Sequence, residues 1–243
     1  MNLFETIDAT WPAAAFSSRG AVILRDGQGG GKRVSAASAP DDVSETDLDT
    51  AITAMLDLGD ALFQVQGDQP RFDALLDVRG FQIVDPVVIL AGDIDTVAGD
   101  GPPKVSAFTV WPSLAIQHEI WANGGIGPAR LAIMDRARGP KTTLIGRVEN
   151  QPGGAAFVAI HNQTAMIHAV EVLPRHRRKG CAGNMLRAAA VWARNQGATQ
   201  FATLTVRENA PARALFASLG LSAVGQYHYR LKSNPKAPHG QEP

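Results

Sequence analysis

The sequence predicts an α/β protein of the α+β type, in which helices flank a mixed, mostly antiparallel twisted sheet. The chain of 243 residues is 45% hydrophobic, which suffices for one large domain or two small ones. Segments with alternating apolar residues follow one another in the second half, as in antiparallel strands. Apolar residues at helical spacing mark the segments between the remaining strands.

The first hundred residues contain predicted strands at 21–27, 33–37 and 61–65, and a bent strand or strand pair over 81–92. One helix begins after Ser44, whose hydroxyl can cap it, and another begins at Pro70 and ends at Gly80. Between the first two strands, GQGGGK resembles a phosphate loop. However, Asp26 and Arg33 occupy the places of the required glycine and Ser/Thr. We therefore interpret this segment as a flexible hairpin turn.

The second half begins after the turn-forming cluster GDGPP at 99–103, where we place a domain boundary. Four predicted strands follow a strand at 104–111 and a helix at 112–125; they are 130–137, 142–149, 155–162 and 164–173, and a hairpin at Asn162–Gln163 joins the last two. Next come helix 181–196, strand 201–206, helix 208–220 and a last strand segment at 221–231. We expect domains at 1–103 and 104–232 and a disordered tail at 233–243.

The formal net charge is zero, but the charge is unevenly distributed. Residues 1–100 carry 17 acidic and 6 basic side chains, and the remainder carries the opposite balance. This excess of cations suits an anionic ligand, although attraction between the two parts is the simpler explanation.

Cysteine and histidine usage excludes two classes of site. Cys181 is the sole cysteine, so no disulfide framework is expected, and the six histidines show no metal-ligand spacing, so we expect no metal. Because no secretory signal or membrane-length apolar run is visible, we expect a cytoplasmic protein that does not contact membranes.

The segment VEVLPRHRRKGCAGNMLRAAA, residues 170–190, places a basic cluster between a strand and a helix. Gly180 allows close approach of a ligand to the backbone, and Ala182 and Gly183 keep the start of the helix open. The first N–H groups of that helix lack intrahelical partners and, together with the helix dipole, form an anion site. The geometry suits a pyrophosphate.

Two motifs resemble the GCN5-related N-acetyltransferase (GNAT) superfamily. The pattern V-x-P-x-x-R-x-x-G-x-A resembles its coenzyme A pyrophosphate loop and comprises Val172, Pro174, Arg177, Gly180 and Ala182. The second signature, an Asn followed by a helix that ends near a glycine, comprises Asn209, Leu215, Phe216, Gly220 and Leu221. The resemblance covers about residues 104–230. In addition, 62–85 echoes 204–225, which predicts that the N-terminal half is a degenerate, GNAT-like copy.

The resemblance implies a GNAT fold and acetyl-coenzyme A as co-substrate. Two strands would splay beside Val172, and the backbone of Val170 and Val172 would bond the pantetheine arm. The implied pyrophosphate contacts are Arg177, Arg178, Lys179, Gly180, Cys181, Ala182 and Gly183. Asn209 would contact pantetheine or merely cap its helix. Cys181 at a helix start has either a lowered pKa or, as the better interpretation, a packing role.

The catalytic groups are less clearly indicated. Glu171 is the first candidate for the base that deprotonates the amine, although a structural strand carboxylate is an equally good interpretation, and His168 or His228 are further candidates. Phe216 stands where the family often has the tyrosine that protonates the leaving thiolate. Tyr227, Tyr229 or water would substitute.

We therefore expect an N-acetyltransferase that acts by direct attack of a primary amine in a ternary complex. The acceptor would be a small molecule or peptide, and the acidic first half favours a cationic one. Trp111 and Trp121 would line the acceptor site or pack in the core. Phe216 also allows a non-catalytic acyl-coenzyme A sensor or scaffold. Nucleic-acid binding through RHRRK is disfavoured because no basic helix face accompanies it. A monomer or homodimer is expected.

Overall fold

A computed structural model describes residues 2–234 of the chain. In chain order, the helices are α1 (Leu3–Thr10), α2 (Lys32–Ser35), α3 (Glu45–Leu56), α4 (Pro70–Asp77), α5 (Ile94–Ala98), α6 (Ala115–Asn123), α7 (Pro128–Arg136), α8 (Cys181–Asn195) and α9 (Ala210–Ser218). The strands are β1 (Ala15–Arg19), β2 (Val22–Asp26), β3 (Ala61–Gln66), β4 (Gln82–Asp93), β5 (Ala107–Val110), β6 (Lys141–Val148), β7 (Gln151–His161), β8 (Thr164–Val172), β9 (Gln200–Val206) and β10 (Ser222–Lys232). The predicted fold class, a mostly antiparallel sheet flanked by helices, is confirmed.

The chain forms two compact units whose limits differ from the predicted boundary at residue 103. The first unit is Met1–Pro12 with Ile89–Val224, and the second is Ala13–Val88 with Gly225–Pro243. Strands β4 and β10 contribute residues to both units, so each unit is discontinuous in sequence. The GDGPP cluster is instead part of the connection from α5 to β5 inside the first unit.

The first unit contains the strand order β4-β9-β8-β7-β6-β5. Strands β5 to β8 are antiparallel neighbours, and β8 pairs with β9 in parallel. Helix α8 contacts β5 to β8, while α1 and α6 contact β7 and β8. A Cβ built on Gly154 of β7 would contact side chains of α8. Phe157, three residues further along β7, packs against Trp11, which follows α1. Because successive residues of a strand face opposite sides, α8 lies on one face and α1 on the other.

Most predicted elements of the first unit are confirmed. The hairpin turns at Asn162–Gln163, where His161 pairs with Thr164. Helix α8 begins at Cys181, and α9 begins before Pro211 and is followed by Gly220 at φ +86°. By contrast, α1 and α5 carried no signal that we recognised.

Two predicted strands are helices. The segment 130–137, predicted as a strand, belongs to α7, which Pro128 starts. Its buried side chains Ile133, Met134 and Ala137 follow helical spacing, which fits one face of a helix better than a strand. Residues 33–37 were predicted as the return strand of a hairpin, but Lys32–Ser35 form α2. The partner of β2 is β1, which precedes it in the chain.

The second unit has its own core and repeats part of the first unit's order. Its apolar cluster is centred on Phe63, Phe72 and Phe81, whose rings pack edge to face. Ser44 caps α3 as predicted, since its hydroxyl accepts a hydrogen bond from the Asp47 N–H at 3.1 Å. The strand–helix–strand order of β3-α4-β4 matches that of β9-α9-β10, in agreement with the internal echo.

Two further predictions concern the ends and the membrane. Of the predicted disordered tail 233–243, only residues 233–234 lie within the described part, where the Asn234 amide donates to Leu56 O at 2.6 Å. The rest lies outside the described residues. Among the described residues, none of the helices has the length and apolar character needed to cross a membrane.

A buried arginine ties β10 to α4 in the second unit. Arg230 is 5% exposed; its Nε donates to Asp73 at 2.7 Å, and its Nη1 donates to Asp77 at 2.8 Å and to Phe81 O at 2.9 Å. His228 Nε2 lies 2.8 Å from the same Asp73 oxygen. Burial by itself would raise the pKa of Asp73, but the hydrogen bonds from Arg230 and His228 outweigh it and lower that pKa. This residue pair therefore stabilises the unit while Asp73 is ionised.

We expect Arg230→Met to lower the free energy of unfolding by about 2–3 kcal/mol at pH 7, because charge-assisted hydrogen bonds are lost. Since the pKa of Asp73 is lowered by folding, wild type should lose this advantage as the pH falls through that pKa, and the two proteins should converge in acid. Urea unfolding at pH 7 and near pH 3 measures both effects. The control is Arg71→Met, which changes an exposed arginine of α4, the helix that carries Asp73. This substitution should change stability little.

Candidate active site

The candidate site lies where β8 and β9 diverge. Their parallel pairing runs from Thr164–Gln200 through Met166–Ala202, whereas β8 continues to Val172 and β9 to Val206. The Thr203 hydroxyl still reaches Ile167 O at 3.3 Å, and the strands then separate. The resulting gap is open to a third, extended chain that could bond to both strand edges. The resemblance implies a splay beside Val172, and the last β8 residue paired with β9 is Met166.

The backbone of Val172 faces this gap. The Leu173 N–H bonds to Gly153 O of β7 at 2.9 Å, so Leu173 belongs to a hydrogen-bonded pair of the antiparallel ladder. Because such pairs alternate along a ladder, the N–H and C=O of the preceding residue, Val172, point away from β7 and toward the β9 side. The carbonyl of Val172 accepts a bond from Arg177 Nε at 3.0 Å.

A bulge in β8 accompanies the divergence, and no residue pattern in the sequence predicts it. Ala169 has φ +51°, and the register between β7 and β8 shifts at this point. Trp121 of α6 is fully buried and donates its indole N–H to Ala169 O at 2.8 Å. The bulge carbonyl is therefore satisfied by a side chain instead of a strand neighbour. An Ala-Val-Glu-Val segment has no turn residue that would reveal this bulge.

Helix α8 begins directly above a pair of glycines. Gly146 of β6 and Gly154 of β7 are opposite each other in the ladder. A Cβ on Gly146 would lie 2.6 Å from Cys181 Sγ, and a Cβ on Gly154 would lie 2.8 Å from Met185 Cε. Such contacts are far below van der Waals distance, so only glycine at both positions allows the first turn of α8 to pack this closely.

The loop before α8 exposes backbone donors. Pro174–His176 form a short 3-10 turn, and Arg178 and Gly180 then adopt φ +62° and +79°. Gly180 is the N-cap and contributes no side chain, so the N–H groups of Cys181, Ala182 and Gly183 are left for another acceptor. Among residues 2–234, the atom found near the position of a Gly180 Cβ is Asn184 Nδ2, 3.9 Å away. Oriented backbone N–H groups of this kind suit an anion.

Two of the four Arg/Lys side chains of the loop contact acids. Arg177 contacts Glu171 Oε1 at 3.2 Å, and Lys179 contacts Glu149 at 2.7 Å. Arg175 and Arg178 are exposed. The loop therefore combines oriented N–H groups with two cations that contact acids and two exposed arginines.

Glu171 is half-buried at the end of β8. Besides the contact with Arg177, its carboxyl group lies against the loop between α6 and α7. A Cβ built on Gly124 would be 2.4 Å from the Glu171 carboxyl carbon. The α6–α7 loop thus covers the carboxylate, and Gly124 is the residue that leaves room for it. Of the two expected tryptophans, Trp111 is 38% exposed, whereas Trp121 is inaccessible and acts through its bond to Ala169.

The second motif forms the start and the body of α9. The Asn209 side chain accepts a hydrogen bond from the Ala212 N–H at 3.2 Å, which is the capping role considered for it. Phe216 is 5% exposed and has no hydroxyl group that could donate a proton.

The proposed substitutes for that hydroxyl lie in the second unit. Tyr227 and Tyr229 are 2% and 4% exposed, and their hydroxyl oxygens are 3.3 Å apart. Burial raises the pKa of Tyr229 well above its usual value. Both hydroxyl groups are therefore buried within the second unit, and this arrangement does not support the predicted catalytic role.

The two candidate histidines are also engaged. His168 is 3% exposed and lies 2.9 Å from the Thr10 hydroxyl, beside the ring of Trp11. His228 bonds to Asp73 in the second unit. Both contacts favour a structural role over a catalytic one, so Glu171 remains the candidate base.

Cys181 is the first residue of α8, but its side chain is not exposed to solvent. It is 2% exposed, and burial raises the pKa of its thiol to about 11. The packing interpretation is thus favoured over a reactive thiolate.

Comparison with known proteins agrees with the resemblance of the two motifs. Residues 114–221 match the model of the acetyltransferase (GNAT) family. The uncharacterized N-acetyltransferase YobR of Bacillus subtilis (strain 168) is 26% identical over 235 residues, which cover 92% of this chain and 95% of that protein. The aminoglycoside N(6')-acetyltransferase type 1 of Acinetobacter haemolyticus is 35% identical over 66 residues, or 27% of this chain and 46% of that protein.

Solved structures share the fold over most of the chain. A GCN5-related N-acetyltransferase from Kribbella flavida superposes with a TM-score of 0.72 at 16% identity, covering 97% of this chain and 95% of that one. A tandem GNAT protein from the clavulanic acid biosynthesis pathway gives a TM-score of 0.61 at 15% identity, covering 89% and 79%. At these identities the likeness concerns the fold alone.

We expect Cys181 in the native protein to be alkylated by iodoacetamide at pH 8 at least about 100-fold more slowly than in the unfolded chain, because little thiolate exists when the pKa is about 11. Mass spectrometry of protein labelled with and without guanidinium measures the two rates. Labelling of the folded protein at pH 8 as fast as that of the unfolded chain would show that the helix dipole, not burial, controls the thiol.

Proposed function

We propose that this chain, whose residues 114–221 match the acetyltransferase (GNAT) family, transfers an acetyl group from acetyl-coenzyme A to a primary amine by direct attack in a ternary complex. The observation that carries this proposal is the divergence of β8 from β9 beside the open start of α8. The two features lie next to each other along the chain, separated by residues 173–180. Together they suit a ligand with an extended amide chain at one end and a diphosphate at the other.

The coenzyme would bind mainly to backbone. Its pantetheine arm would lie in the gap, bonded by the N–H of Val172 and by the backbone of Val170. Its pyrophosphate would accept bonds from the N–H groups at the start of α8, where the helix dipole adds to the attraction. Arg177, Arg178 and Lys179 would supply charge around the phosphates once their present contacts with Glu171 and Glu149 are exchanged.

In the proposed reaction, the amine nitrogen attacks the thioester carbonyl carbon. The C–S bond breaks, the acetyl group stays on nitrogen, and coenzyme A leaves as a thiolate. A backbone N–H beside the β8 bulge would stabilise the charge that develops on the carbonyl oxygen. Glu171 would accept the proton of the attacking ammonium, directly or through water. A thiol of pKa about 8.5 is an adequate leaving group without a proton donor, so Phe216 does not prevent the reaction.

A second function is favoured by the same Phe216. A chain that binds acyl-coenzyme A without transferring the acyl group would keep the backbone site and need no proton donor. Turnover separates the two functions, because a sensor binds coenzyme A and releases no thiol with any amine.

We also propose that residues 1–103 derive from a degenerate GNAT-like domain. The repeated order β3-α4-β4 and β9-α9-β10 supports this origin, as does the fold likeness to a tandem GNAT protein. Because β4 and β10 each contribute residues to both units, the proposed copy does not coincide with one continuous stretch of the chain.

Gly180→Glu should weaken coenzyme A binding more than about 30-fold, because a carboxylate enters the proposed diphosphate site and the residue must keep φ +79°. Isothermal titration with coenzyme A measures the affinity. Gly197→Glu, with φ +90° and open space at the other end of α8, imposes similar backbone strain away from the site and should bind normally. Equal binding by wild type and Gly180→Glu would refute the loop assignment.

Glu171→Gln should lower kcat/KM for amine acetylation about 100-fold while leaving the coenzyme A affinity near that of wild type, because a general base is lost and the shape of the side chain is kept. Thiol release from acetyl-coenzyme A with an amine panel gives the rate. The deficit should narrow at high pH, where more of the amine is already deprotonated. A uniform loss at all pH values would assign Glu171 a structural role instead.

A further inference from the structure

We infer that the acceptor is a zwitterionic amine, an amino acid or a similar small amino carboxylate, which binds in a pocket between α6 and the ends of β7 and β8. This inference rests on the proposed function and adds the class of acceptor to it. The inference is based on the position of the pocket next to Glu171 and on the opposite charges of its lining residues.

The pocket has a volume of about 290 Å³, enough for a small amino acid. Four residues of α6 line one wall at helical spacing, namely Ile116, Glu119, Ile120 and Asn123. The opposite wall comes from the start of β7 and the segment after β8, namely Gln151, Pro152, Leu173 and Arg175. Four of the eight lining residues are apolar (Ile116, Ile120, Pro152 and Leu173), and the other four are polar or charged.

The pocket adjoins the proposed point of reaction. Leu173 lies two residues after Glu171 in extended chain, so both side chains point to the same face of the strand. Asn123 directly precedes Gly124, whose backbone touches the Glu171 carboxylate. An acceptor with its body in the pocket would therefore present its amine toward Glu171 and the end of β8.

Arg175 is held in place for an anion. Its Nε donates to His176 Nε2 at 3.2 Å, and His176 is 4% exposed. Within residues 2–234, the hydrogen bonds found do not use the two Nη nitrogens of Arg175, and its exposed side chain lines the pocket. A guanidinium fixed along one edge can offer its other N–H groups to a carboxylate in a bidentate pair.

The remaining polar groups decide the class of ligand. Glu119 is the acid that lines the pocket, and Glu171 is next to it, so the protonated amine of an arriving acceptor meets negative charge. Arg175, the cation of the lining, comes from the segment after β8. A cation and an acid in the lining of one pocket suit a small molecule with an ammonium and a carboxylate. A polycationic acceptor would instead place a positive group against Arg175 at an electrostatic cost.

Thiol release should be measured with amino acids of increasing chain length, each paired with its own carboxamide, and with a polyamine and an aminoglycoside. We expect wild type to favour the free carboxylate over the amide at least about tenfold in kcat/KM for one or more chain lengths. Arg175→Ala should abolish that preference by raising KM for the amino acid alone. Arg175→Lys should restore part of it, and the KM for acetyl-coenzyme A should not change.

Arg138→Ala is the matched control, because Arg138 is exposed at the opposite end of the β6–β7 hairpin and should leave the preference intact. Equal rates for acid and amide, a preference for the polycations, or an equal rise in KM for acetyl-coenzyme A in Arg175→Ala would overturn the inference while the proposed function stands. If wild type acetylates no amine, the proposed function fails. Calorimetric binding of the same amino acids to the coenzyme A-loaded protein then decides: binding that requires Arg175 supports the pocket assignment, and absent binding refutes it.

Discussion

The early end of the pairing between β8 and β9 is the constraint on which the candidate site depends. After Met166 and Ala202 the two strands part, and the bulge at Ala169 turns β8 away from a regular register. A bulge carbonyl without a partner would be costly, and the buried indole of Trp121 removes that cost. The helix that carries Trp121 also forms a wall of the acceptor pocket. One hydrogen bond thus connects the opening of the sheet with the shape of the pocket.

The position of the start of α8 depends on the glycine pair Gly146 and Gly154. Without side chains there, Cys181 and Met185 settle against the strands, and the first turn of the helix is brought down to the end of β8. The same packing excludes water from Cys181, which explains its raised pKa. Arg177 and Lys179 contact acids, so an anion in the proposed site would be attracted by the backbone N–H groups as well as by the side-chain charges.

The sequence could predict the parts of the site that local chemistry determines. Pro174, Gly180 and the alanine-rich run after it specify the strand end, the loop and the helix without any tertiary information. The bulge at Ala169 could not be predicted, because its cause is the distant Trp121. The unit boundary was equally inaccessible, since β4 and β10 run through both units without a break in pattern. Segment 130–137 was misassigned because its apolar residues also fit alternation, whereas Pro128 was the better signal.

The distribution of proton-carrying groups shows where the proposed reaction needs help from the protein. Phe216 cannot donate a proton, and the hydroxyl groups of Tyr227 and Tyr229 are buried against each other in the second unit. The leaving thiolate, with a thiol pKa of about 8.5, is stable enough in water to depart unaided. The attacking amine, by contrast, is protonated near pH 7 and cannot react until it loses that proton. In the proposed reaction, the Glu171 carboxylate would therefore serve the more demanding of the two proton transfers, the deprotonation of the amine.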